Sequence, residues 1–116
     1  MFAKNMNISL LLDFYGEILS ERRREIMELY YNEDLSLAEI AEIKGISRQG
    51  VRDSVKKSET ELTELEEKLG LAEKFKKLKS EIASIGDELA RAAKSADSES
   101  AEKITDAVSR LKELDI

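Results

Sequence analysis

Residues 36–57 read SLAEIAEIKGISRQGVRDSVKK, and each part of this stretch has a structural job. Ser36 followed three residues on by Glu39 is a capping box. The hydroxyl takes one free amide of the first turn and the carboxylate reaches back to the cap amide, which opens the short helix SLAEIAEI. Gly45 stands just past the last periodic residue, where left-handed geometry ends a helix at little cost to glycine. Ser47 is the natural cap of the next helix, which runs from Arg48 to at least Leu62. Ile40 and Val51 belong in the core that the two helices share. Ala41 is small where they cross, Ile46 plugs the corner, and Val51, Val55 and Leu62 continue the buried stripe. Two helices joined by a tight glycine turn at this spacing make a helix-turn-helix.

The other side of the second helix presents Gln49, Asp53, Lys56, Lys57 and Thr60, with Arg48 and Arg52 on the flank. Residues 44–57 hold five basic residues against one acidic one, although the whole chain has 19 Lys+Arg against 25 Asp+Glu and a net charge of −6. In a helix-turn-helix the front of the second helix meets base edges in the major groove. Arginine pairs bidentately with guanine and glutamine with adenine, so Arg48, Gln49 and Arg52 are the candidate base readers. Lys44, Ser47, Lys56 and Lys57 are the candidate phosphate contacts. Asp53 would repel phosphate from the middle of this face. It either accepts from a cytosine amino group or pairs with Lys57 one turn on. Gly50 costs about 1 kcal/mol relative to alanine inside a helix. Either it permits close backbone approach to a ligand or it is merely tolerated.

Composition narrows the chemistry. The 116 residues include no Cys, His, Pro or Trp, and only five Gly. Without proline, and rich in Ala, Glu, Lys, Leu and Ile, the chain favours helix throughout, and an all-α fold is expected. The absence of Cys and His removes the ligands of most zinc sites, the thiolate nucleophile and the usual acid–base catalyst near neutral pH. No calcium-loop pattern appears. A non-enzyme without metal or cofactor is the expectation. No apolar run reaches the roughly 20 residues of a membrane span, so no membrane insertion is expected. ISLLLDFYGEIL, broken by Asp13 and Glu17, reads as a core helix, and a cytoplasmic location follows by default.

Around the motif, Ile8, Leu11, Leu12, Tyr15, Ile18 and Leu19 form one helical stripe. Ser20 caps a second helix with Ile26, Leu29 and Tyr30 inward. ERRRE at 21–25 reads as a solvated face. The motif domain therefore spans 1–62, and 63–116 is an acidic helical extension with a loop at 94–100. Residues 59–116 carry 15 acidic and 10 basic residues, so most of the chain's acidity lies outside the motif, where it could screen the basic helix in the free protein. Leu62, Leu65, Leu69 and Ala72, then Leu78, Ile82, Ile85, Leu89 and Ala92, repeat like heptads with a phase slip near 70–75. Two readings stay open for this half, a hairpin folding back and a coiled coil that makes a homodimer. EKFKKLKSE at 73–81 is a basic island and a second candidate for phosphate contact.

LLDFYGEIL, ELYYNEDLSLAEIAE, SRQGVRDSVKKSE and LEEKL together resemble the YlxM-like family of small bacterial helix-turn-helix proteins, over roughly the first two thirds of the chain. Residues 36–57 are also similar to the promoter-reading region 4 of sigma factors. At Gly50 the chain departs from the family's tendency to alanine. The resemblance implies an all-helical fold, with a wingless region-4-like helix-turn-helix and a helical C-terminal extension. It also implies a regulatory role in the signal recognition particle pathway. Two functions follow as alternatives: a DNA-binding module, or an interaction protein that binds the particle's RNA or its GTPase without reading DNA sequence.

Overall fold

The computed structural model describes residues 6–114. The elements are α1 (Met6–Tyr15), a 3₁₀ turn (Gly16–Ile18), α2 (Glu21–Tyr31), α3 (Leu37–Lys44), α4 (Arg48–Leu69), α5 (Leu71–Ala93) and α6 (Ser98–Lys112). No strand occurs among the described residues, and the fold is all-α as the composition implied. Two compact units emerge, Met1–Ala72 and Glu73–Ile116.

In the first unit α4 is the axis on which α1, α2 and α3 all pack. Its inward stripe is the one read from the sequence: Val51, Val55 and Leu62 are fully buried. Around them lie Ile8, Leu11, Leu12, Tyr15 and Leu19, then Ile26, Met27, Tyr30 and Tyr31, and finally Ile40 and Ala41. Burying a side chain of this kind stabilises the fold by about 1.5–3 kcal/mol, and α4 is the element that the other three helices share. Residue 62 lies inside α4, which continues unbroken to Leu69.

A polar side chain of α4 enters this core with a partner. Ser58 on α4 is completely buried, and its Oγ accepts from Arg23 Nε at 3.1 Å. Arg23 Nη2 stands 2.8 Å from Glu61. Within ERRRE, then, Arg23 is no solvated side chain: it ties α2 to α4. Tyr31 donates to Glu59, a second link between the same helices.

The N-terminal stripe departs from its expected course at one residue. α1 stops at Tyr15 and the chain tightens into the 3₁₀ turn, whose three-residue period carries Ile18 away from the core; it is 56% exposed. Leu19 returns to the core after the turn.

The phase slip near residue 70 is a break between two helices. Gly70 sits at φ 62°, a left-handed cap whose amide bonds to the Glu66 carbonyl. Tyr15 from α1 holds this junction. Its hydroxyl donates to Glu66 Oε1 at 2.6 Å and accepts the Leu71 amide at 3.2 Å, and the same carboxylate oxygen accepts the Ala72 amide at 3.1 Å. Two free amides at the start of α5 are thereby satisfied. Burial, foremost, pushes the Tyr15 phenol above its ordinary pKa, and the Glu66 carboxylate adds to the shift.

In the second unit the loop is shorter than its composition suggested. Asp97 caps α6 by accepting the Ser100 amide at 2.7 Å, so residues 98–100 are the first helical turn. At Gly86 of α5 an added Cβ would lie 3.8 Å from both Val108 and Lys112 of α6.

Candidate nucleic-acid interface

The geometry of residues 36–57 follows from three local devices. Glu39 N–H donates to Ser36 Oγ and Ser36 N–H donates to Glu39 Oε1, each at 3.1 Å, which completes the capping box. The Ser36 amide, foremost, holds the Glu39 carboxyl below its usual range. Gly45 then adopts φ 66° and ψ 35°. An added Cβ there would meet nothing within 4 Å, so only the backbone angle makes glycine preferable. Ser47 Oγ accepts the Gly50 amide at 2.9 Å and opens α4. Ile46 packs against the core from the corner.

These devices bring three of the candidate readers together. Arg48, Gln49 and Arg52 line one shallow recess with Leu37, the first residue of α3. Arg48 and Gln49 are exposed and Arg52 is half-buried. The recess lies at the N-terminus of α4, where amides of the first turn lack intrahelical partners and the helix dipole favours an anion.

The candidate phosphate contacts are placed less uniformly. Ser47 spends one lone pair on the cap, and its hydroxyl hydrogen remains a donor. Lys44 is half-buried and ion-paired with Glu25 of α2. That hydrogen bond, foremost, holds the Glu25 carboxyl below its usual range, with the charges of Lys44 and Arg24 acting in the same direction. Lys57 is exposed. Lys56 is exposed and lines a separate depression that also includes Glu59, Glu64 and Glu67.

Contacts bear on the two residues that the sequence left ambiguous. Asp53 Oδ1 accepts from Gln49 Nε2 at 2.9 Å, one turn back along α4. The bond fixes which way the amide faces: it engages one N–H and leaves the second N–H and the carbonyl out of that contact. At Gly50 an added Cβ would lie 3.2 Å from Ser47 Oγ, a close contact; Glu39 carries a side chain at the same third position after the Ser36 cap, so capping alone does not call for glycine. Among the described residues no group of carboxylates is arranged to hold a metal ion.

Glu25 and Leu37 escaped the sequence reading. Glu25 lies 19 residues from Lys44 and on a different helix, so no helical spacing points to the pair. Leu37 was readable as the first residue after the capping serine, a position that borders the front of the following helix whenever the turn is tight.

An all-α chain with this turn and this basic front is a helix-turn-helix protein by its architecture. The family model described as "UPF0122: Putative helix-turn-helix protein, YlxM / p13 like" matches residues 2–109, and the chain belongs to that family. A UPF0122 protein of Desulforamulus reducens is 56% identical over 68 residues, covering 59% of this chain and 58% of that protein. One of Acetivibrio thermocellus is 57% identical over 67 residues, covering 58% and 57% respectively. One of Caldanaerobacter subterraneus is 50% identical over 78 residues, which is 67% of each chain. The matched stretch thus spans less than three fifths of the first two relatives' own lengths.

Proposed function

We propose that the protein is a non-catalytic, DNA-binding helix-turn-helix module that enters the major groove with the front of α4. One observation carries this reading: Arg48, Gln49 and Arg52 converge on a single recess at a capped helix N-terminus. Arg48 and Arg52 have the donor forks for guanine O6 and N7, and Gln49, steadied by Asp53, has an N–H and a carbonyl for adenine. Ser47 and Lys57 lie beside this front and contact phosphate. Lys44 contributes by bracing α3 against α2 through Glu25, and Lys56 is the weakest phosphate contact of the set because it lines a separate, acidic depression. The module acts in the cytoplasm, in a regulatory role within the signal recognition particle pathway, the role implied by the family resemblance.

A second reading draws on the Gln49–Asp53 bond. An amide engaged by its own helix reads bases less freely, whereas Lys57 and the lysines of residues 73–79 need only phosphates. That arrangement suits the particle's RNA, whose A-form major groove is too narrow for side-chain reading, or its GTPase. Parallel titrations of duplex DNA, particle RNA and purified GTPase separate the two. Loss of duplex affinity in Arg48→Ala and Arg52→Ala supports the first reading. Binding to RNA or GTPase that ignores those changes supports the second.

A further inference from the structure

The start of α5 joins two features that nothing in the helix-turn-helix reading uses. Lys74, Lys76, Lys77 and Lys79 are all exposed, with Glu73 the one acid among residues 73–79. Between them stand large apolar side chains open to solvent, Phe75 at 38% exposure and Leu78 at 48%, with Ile85 at 40% further along the same face. At 100° per residue Phe75, Leu78, Ile82 and Ile85 share one stripe, Lys74 and Lys79 border it on either side, and Lys76 and Lys77 fall on the polar side. The pattern is local: from residue 80 onward acidic residues outnumber basic ones.

A second copy of the chain, the occupant suggested by the heptad spacing, meets like charges here. With Phe75, Ile82 and Leu89 at a and Leu78, Ile85 and Ala92 at d, Lys74 takes position g and Lys79 position e. A parallel pair sets Lys74 against Lys79 of the second copy. An antiparallel pair that matches all six apolar layers sets Glu81 against Glu88 of the second copy. Nucleic acid answers the lysines but leaves Phe75, Leu78 and Ile85 in water. An anionic lipid surface answers both. Its headgroups neutralise the lysines, whose flexible stems reach up from the helix flanks, and its acyl boundary takes the apolar stripe.

We propose that the front of α5 is an interfacial docking site for anionic phospholipid membranes, lying in the plane of the headgroups. The site is distinct from a membrane span, for which no described helix is long and apolar enough, and it does not depend on what α4 binds. Co-sedimentation of the full chain with vesicles tests it. The protein should pellet with vesicles containing anionic phospholipid and not with purely zwitterionic ones, and added salt should release it. Replacing the four lysines together by glutamine should lower partitioning roughly a thousandfold. Phe75→Ala with Leu78→Ala should lower it roughly tenfold at unchanged charge. Far-UV helicity should hold in both variants, showing that they fold, and duplex DNA affinity should hold in Phe75→Ala with Leu78→Ala, showing that α4 is intact. Equal binding to both vesicle types, or none, overturns the proposal. So does a quadruple variant that loses RNA or DNA affinity when the parent chain ignores vesicles, which makes the lysines a nucleic-acid contact. A dimer dissociated by Leu78→Asp, again without vesicle binding, assigns the face to a second copy.

Discussion

Ser47 shows how much a single side chain can organise. Its hydroxyl satisfies the Gly50 amide at 2.9 Å and so opens α4. Ser47→Ala should therefore destabilise the first unit by about 1 kcal/mol, read as a shift in urea midpoint at unchanged slope. Glu25 makes the parallel case for charge. Its folded pKa is depressed by Lys44, so the stabilisation is present above the ordinary carboxylate pKa and is lost as pH falls through the depressed value. Denaturant midpoints followed downward from neutral pH should fall in the acid range, and Glu25→Gln should flatten that fall while lowering stability at neutral pH. The serine caps were legible in the sequence because a cap is a local event, set by residues three apart. The Glu25–Lys44 pair was not, since it joins two helices whose relative rotation no short-range pattern encodes. Asp53 lay between these cases: helical spacing allows a partner one turn in either direction, and only the contact with Gln49 decides.

Among the elements, glycine marks where helices stop, and it does so twice by the same geometry. Gly45 ends α3 at φ 66° and Gly70 ends α4 at φ 62°, and neither would crowd a neighbour with a Cβ. Gly45→Ala should cost about 1 kcal/mol or slightly more, from backbone strain alone. Gly45→Asn should cost less, because asparagine tolerates the left-handed region. Thermal unfolding of the two variants checks the order, and an alanine variant as stable as the parent would contradict the assignment. Helix existence was readable nearly everywhere, since apolar spacing repeats over many residues. Helix ends were harder. The stripe through Ile18 ran past the 3₁₀ turn, and SES at 98–100 looked like loop until Asp97 proved to be the cap.

At the scale of the whole molecule, charge is partitioned along the chain and its total misleads. The front of α4 is basic in a protein of net charge −6, because most of the acidic excess lies in residues 59–116. What places Arg48, Gln49 and Arg52 side by side is the inward stripe of Val51, Val55 and Leu62, which rotates the opposite face of α4 outward. The positions of the candidate residues were therefore legible as a set, while the state of Lys44 depended on a helix distant in sequence, where it pairs with Glu25. The central claim is that this front binds duplex DNA, and salt tests it most directly. Affinity for duplex DNA, measured across a series of salt concentrations, should fall on a log–log plot with a slope of about −0.9 for each phosphate contacted. Arg48→Ala with Arg52→Ala should weaken binding at every salt concentration. Undetectable affinity at low salt, or affinity untouched by those two substitutions, would contradict the account.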